Sequence, residues 1–360
     1  MSRLRGGWFG VLSVVVPLVL DGASGCQPRG RRSLVADGRA PDPIMTTGST
    51  SASATPSGVA SSSVDKPALV TTGPGFPTTG PWISFYGNAA EMGSLDKVAQ
   101  SFRIVNIDAD PTDDGVGNFT DAQLQKLKNG GKNKVLSYLN VGACERYRTY
   151  WKKVPAGFVS CGANTVSQLG SYDGYPDEVW MDPSNADYQK LVVEHLAARL
   201  LARGVDGLYL DNLELLSHEP TEKNGPCTKS CRQGGLDLVR KLRERFPDAL
   251  LVMQNGTSEV TRLGVTGGVR FATLLDGIAH EEVWEPKHDA TAEAELLAWK
   301  ALGLGTKDGR PLWIAVEDYV GACNEHARAQ AVFDKARAHG FAPCVTDDSG
   351  KQKVVCYWGL

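Results

Sequence analysis

Between Trp82 and Asp347 the chain repeats one alternation. A short apolar run rich in β-branched and aromatic residues is followed by a longer stretch with helical periodicity. The runs are WISFYG (82–87), RIVNIDAD (103–110), KVLSYLNVG (134–142), VDGLYLDN (205–212), LLVMQNG (250–256), DGIAHEEVW (276–284), PLWIAVEDYV (311–320) and FAPCVTD (341–347). Their length and composition predict strands. Helical patterns separate most of them. DAQLQKLKNGG follows Thr120, NADYQKLVVEHLAARLLARG carries apolar residues at 191, 192, 196, 200 and 201, and GGLDLVRKLRERFP stops at Pro247. TAEAELLAWKALGLG and EHARAQAVFDKARAHG behave alike. Eight strands joined by helices within residues 81–360 predict an α/β fold, a (β/α)8 barrel. An open doubly wound sheet is the competing arrangement. It calls for a Gly-rich phosphate turn after an early strand, and none follows the first or second run.

In such a barrel, chemistry sits at the C-terminal strand tips. Here those tips are polar in the same sense. The first ends at Tyr86, the second at Asp108 and Asp110, and the third runs through Tyr138 to Asn140, with Glu145 and Arg148 beyond. The fourth ends at Asp211 and Asn212, the fifth at Asn255, and the sixth carries Glu281 and Glu282, with Trp284 beyond. The seventh ends at Glu317, Asp318 and Tyr319, the eighth near Asp347. One Asp at a strand end is ordinary turn capping; a ring of them favours a site. Six histidines, no cysteine–histidine nucleophile pair and no phosphate loop leave paired carboxylates with aromatics. That combination points to glycoside hydrolysis, one acid protonating the leaving oxygen and one carboxylate attacking or activating water. Tyr86, Tyr138, Trp180, Trp284 and Tyr319 are candidates for stacking on sugars, with ordinary barrel packing as the competing role. Glu281 and Glu282 are neighbours on one strand, so only one faces the mouth. No metal site and no cofactor are expected.

The blocks YLNVGACERYRTYW, YPDEVWMDPSNADYQ, GVDGLYLDN, VMQNG and HEEVW, in that order, resemble glycoside hydrolase family 114, the endo-α-1,4-polygalactosaminidases and related secreted barrel proteins. The resemblance spans roughly residues 82–347. It implies cleavage of α-1,4-linked galactosamine polymers of microbial exopolysaccharides and biofilms, with Asp211 and Glu281 as the catalytic pair. It also favours retention, Asp211 as nucleophile and Glu281 as acid/base. Cys144 before Glu145 and His280 before Glu281 depart from the family pattern. Asp108, Asp110, Arg148, Tyr86, Tyr138, Asn212, Asn255, Glu282, Trp284 and Tyr319 are the expected substrate-binding residues. The carboxylates predict an acidic mouth suited to a cationic polymer, unless Arg148 or Arg103 neutralises part of them. A non-catalytic carbohydrate-binding barrel and a glycosidase of another linkage or sugar are the competing functions.

The N-terminus reads as an export signal. Arg3 and Arg5 precede the apolar run WFGVLSVVVPLVL, and Ala23, Ser24 and Gly25 precede Cys26 as in a bacterial lipobox. Residues 1–26 are the signal segment, with Cys26 the lipidation site and membrane anchor; ordinary cleaved secretion is the alternative. Residues 27–80, rich in Ser, Thr, Pro and Gly, predict a disordered tether, and 81–360 the barrel. Seven further cysteines suit an oxidising compartment. Cys227–Cys231, Cys144–Cys161 and Cys344–Cys356 are the expected disulfides, leaving Cys323 free, although spacing does not fix connectivity. A net charge of −3 gives no sign of a nucleic-acid binder, which would normally show a basic face, and no nucleic-acid partner is expected. The chain is expected to act as a monomer.

Overall fold

The computed structural model describes residues 76–77, 80–110, 117–305, 311–349 and 351–359. The signal segment, Cys26 and nearly all of the tether lie outside the described residues. Eight parallel strands follow one another around a nearly closed barrel: β1 (Trp82–Phe85), β2 (Ile104–Ile107), β3 (Lys134–Asn140), β4 (Gly207–Asp211), β5 (Leu250–Gln254), β6 (Gly277–Glu281), β7 (Trp313–Val320) and β8 (Ala342–Asp347). Each falls inside a run predicted from sequence. At the seam, Trp82 Nε1 on β1 donates to Ala342 O on β8 at 2.9 Å.

Strand parity sorts the side chains. Trp82, Ile104, Leu136, Tyr209, Leu250, Val252, Ala279, Trp313, Ala315 and Cys344 form the barrel's interior core. Phe76, upstream of the expected boundary at 81, joins that core and meets Trp313 edge to face. The alternate residues, such as Val105, Leu210, Ile278 and Val316, pack under the helices. Continuing the inward parity up each strand leads to Tyr86, Asp108, Tyr138, Asp211, Glu281, Glu317 and Tyr319.

Local sequence explains the helices. Thr120 and Gln123 form a capping box at the start of Asp121–Lys128. The stretch from Ala186 to Ala202 is helical throughout, with a wider π-type segment at Leu191–Ala197. The helix Lys229–Arg245 begins a full turn before the glycine pair that opens the predicted pattern, because Thr228 caps it. Gly234 is tolerated inside it because the helix passes close to Ser184; a Cβ would lie 2.4 Å from Ser184 Cα.

Sequence reading passed over a three-stranded antiparallel sheet, Ala143–Glu145, Gln168–Tyr172 and Tyr175–Met181, inserted after β3. Cys144 is bonded to Cys161 beneath it, and Cys227 to Cys231. The expected Cys344–Cys356 bond is corrected: Cys356 pairs with Cys323, and Cys344 is a buried free thiol. The reason is facing. Cys344 points into the barrel, in register with Glu317, whereas Cys356 packs in the outer layer.

Candidate active site

Asp211 ends β4 and Glu281 ends β6, both on inward positions, with β5 between them. At ~4.8 Å per strand spacing, their backbones start roughly 10 Å apart. The residues after β4, β5 and β6 all turn sharply in the left-handed region: Asn212 at φ 69°, Asn255 at 58° and Glu282 at 55°. Asn accepts this conformation more readily than most residues; for Glu it is a strained choice.

Glu281 is held on both oxygens. Asn255 Nδ2 donates to Oε2 at 2.9 Å, while Asn255 Oδ1 accepts from the Glu281 N–H at 3.0 Å. Tyr319 OH donates to Oε1 at 2.5 Å, and Gln352 Nε2 donates to the same oxygen at 2.9 Å. Tyr86, at the tip of β1, lies within the field of both acids. Burial, followed by the charges of Glu317, Asp211 and Glu281, raises its hydroxyl well above the ordinary tyrosine range, so it remains a proton donor. Its ring meets Tyr138 edge to face at 5.2 Å, and its hydroxyl accepts from Asn106 Nδ2 at 3.0 Å. Glu317 lies in register with Glu281 and is fully buried. Burial, with Glu281 next in weight, pushes its carboxyl strongly toward the protonated form.

On the Asp211 side, the inserted sheet supplies Glu178, which sequence reading missed. Its Oε2 accepts from Asn140 Nδ2 at 3.3 Å and from Asn212 Nδ2 at 3.1 Å. Gly142 lets the β3 loop pass this point, since a Cβ there would sit 1.9 Å from Asn212 O. Gly142→Ala is therefore expected to displace Asn212 and lower turnover with the barrel still folded; circular dichroism and initial rates on the same preparation check this.

The remaining expected binding residues divide. Asp108 and Asp110 are engaged by Arg148, whose Nη1 lies 2.9 Å from Asp108 Oδ2 and 3.2 Å from Asp110 Oδ2. Arg148 Nη2 lies 3.5 Å from Glu145 Oε1, Arg199 binds Asp110, and Tyr150 OH donates to Glu145. Burial opposes the charge on Arg148, but Asp108 and Glu145 outweigh it and hold the guanidinium charged. These acids are thus largely neutralised within the wall, which reduces the acidity expected of the mouth. Arg103 takes no part; it donates to Gln100 O, Phe102 O and Asn133 Oδ1. Trp284 packs in the outer layer, stacked with His339 at 6.0 Å.

Asp318 also turns outward, and its Oδ1 accepts from the N–H groups of Trp284 at 2.6 Å and Glu285 at 2.8 Å. Burial pushes its carboxyl up to about 7 against those bonds, from an ordinary value of 3.8. A folded-state value above the unfolded one contributes stability that is fully present below 3.8 and is lost as the pH rises through about 7. Asp318→Asn keeps the Oδ1 acceptor and removes the charge. Its denaturation midpoint is expected to match the parent near pH 4 and to exceed it at pH 8.

The profile of glycoside hydrolase family GH114 matches residues 77–266, more than half of the chain. The chain belongs to family GH114. It is a glycoside hydrolase with the (β/α)8 fold. An uncharacterized protein of Deinococcus radiodurans is 24% identical over 247 residues, covering 67% of this chain and 72% of that one. Two solved structures share the fold of this GH114 chain. The glycoside hydrolase domain of PelA from Pseudomonas aeruginosa superposes with a TM-score of 0.55 at 17% identity, over 75% of this chain and 96% of that one. Aspergillus fumigatus Ega3, solved in complex with galactosamine, superposes with a TM-score of 0.56 at 15% identity, over 78% and 96%.

Proposed function

We propose that this GH114 protein is an endo-acting hydrolase of α-1,4-linked galactosamine polymer. The carrying observation is the pair of inward carboxylates at the tips of β4 and β6, Asp211 and Glu281, with Tyr86 within the field of both. Asp211 attacks the anomeric carbon, forming a glycosyl–enzyme bond, while Glu281 gives its proton to the departing oxygen. Glu281 then takes a proton from water, which breaks the glycosyl bond and restores Asp211, so the anomeric configuration is retained. Asn255 and Tyr319 hold Glu281 in place, and Tyr86 donates toward Asp211 or a ring hydroxyl. Asn212 and Glu178 form the wall beside Asp211.

The galactosamine bound to Ega3 supports the choice of sugar. Asp211 and Glu281 stand at inward strand tips, and an ammonium group on each sugar suits carboxylates placed there. Export with a lipid anchor on Cys26 places the enzyme where such polymers lie. The test is incubation of the full chain with polygalactosamine, its acetylated form and chitosan, with products read by mass spectrometry. Internal cleavage of polygalactosamine is expected; release only from the acetylated polymer or from chitosan overturns the substrate. NMR of a fresh digest should show the α anomer first, and a β product would make Asp211 a base acting through water. Cys26→Ala should move the protein out of the membrane fraction.

A further inference from the structure

The chain after β8 lies beyond the segment matched by the GH114 profile and beyond the sequence blocks that resemble the family. It nevertheless reaches the candidate acid. Gln352 is 4% exposed and adopts a left-handed backbone, φ 47°. Its carbonyl accepts from Tyr86 N–H at 2.7 Å, bridging the seam above β1. Its Oε1 accepts from Ser84 Oγ at 3.4 Å, and its Nε2 donates to Glu281 Oε1 at 2.9 Å and to Tyr319 OH at 2.5 Å. One residue therefore ties β1, β6 and β7 together at the carboxylate. A strained backbone in a buried position persists only where its surroundings enforce it. Those surroundings are on the same segment. The Cys323–Cys356 bond fastens it to the loop after β7, Trp358 Nε1 donates to Val345 O at 2.8 Å, and Val354 O accepts from Thr346 Oγ1 at 3.3 Å.

We propose that Gln352 is a positioning residue for Glu281, and that the Cys323–Cys356 disulfide keeps it in place. This rests on reading Glu281 as the acid/base. Gln352 and Tyr319 share Oε1 while Asn255 holds Oε2, so the carboxylate cannot rotate without breaking a bond. Among the described residues, groups facing the site include Tyr86 from β1, Asp211 and Tyr209 from β4 and Glu317 from β7. Burial leads the shift in all three of Tyr86, Tyr209 and Glu317, and drives each toward its neutral form. Gln352 supplies a neutral donor beside the acid.

The test uses the full chain with polygalactosamine as probe. Gln352→Glu conserves shape but replaces the donor with a second carboxylate against Glu281. It is expected to lower kcat roughly 10- to 100-fold with little change in KM. The alkaline limb of the pH–rate profile should move upward by about one unit, because a proton on Glu281 is held more tightly beside a like charge. Gln352→Ala should move the limb in the same direction by less. The Cys323→Ser, Cys356→Ser double variant should reproduce the kcat loss in part, while Cys227→Ser, Cys231→Ser should not. Thermal melts on each protein separate folding from function. A lowered melting temperature with an unmoved limb and parental kcat in both Gln352 variants overturns the positioning role. Parental kcat in the Cys323/Cys356 pair overturns the clamp. Full activity of Glu281→Gln sinks the underlying assignment instead, whatever Gln352 does.

Discussion

Asp211→Asn and Glu281→Gln are each expected to reduce turnover by at least 10² to 10⁴-fold, the scale of a lost acid, base or nucleophile. Both substitutions keep side-chain volume and most hydrogen-bond partners. A glutamine at 281 can keep its oxygen toward Tyr319 OH and Gln352 Nε2 and loses only the bond from Asn255 Nδ2, so the folded state should persist. Initial rates on polygalactosamine, with circular dichroism as the control for folding, are the measurement. Near-parental activity in either variant removes that residue from the mechanism. Glu282 is not a substitute: it follows Glu281 on the opposite strand parity and turns away in the left-handed region.

Arg148→Met is expected to be the most destabilising single change near the site. The guanidinium is one-tenth exposed and faces Asp108, Asp110 and Glu145, of which Glu145 is fully buried. Removing it leaves buried carboxylates uncompensated, which typically costs about 3–5 kcal/mol. Arg199 still reaches Asp110, which limits the loss there, and burial, already lifting the Asp110 carboxyl, will then act with less opposition. The loss should be largest at neutral pH, where the orphaned acids must either stay charged or take up protons. It should shrink as the pH falls and they become neutral. Urea denaturation at pH 5 and pH 8 measures it. An unchanged midpoint at pH 8 contradicts the account of this cluster as a buried ion network.

Much of the barrel was legible because a strand and the helix after it carry their periodicity locally. VDGLYLDN has strand composition, a polar tip and a following Asn, and it becomes β4 with Asp211 inward and Asn212 left-handed. The same holds for LLVMQNG and DGIAHEEVW. Parity predicts that only one of Glu281 and Glu282 faces the axis, and the structure puts Glu281 there, two residues on from inward Ala279. Asn255 was legible as a tip residue, but its reciprocal bonds to Glu281 were not, since they depend on how β5 and β6 are staggered.

What escaped the sequence depends on segments meeting from far apart in the chain. Glu178 sits in YPDEVWMDPSNADYQ, which marks the family without showing that the segment folds back as an antiparallel sheet beside Asp211. A signal was present in the run of aromatic and β-branched residues there, but the expected helix–strand alternation left no place for it. Gln352 gave no signal; a single glutamine near the chain end matters only because the tail returns across the seam. Cysteine pairing failed for a similar reason, because spacing does not say that Cys344 faces inward and Cys356 outward.

The sequence by itself determined the order of elements and the barrel, because side-chain alternation along a strand is set within a few residues. The tertiary structure alone decided which charges cancel, which cysteines bond and which distant side chains hold Glu281. Those outcomes depend on distances across the barrel and on the loss of water around buried groups, and neither is written in any local stretch of the chain.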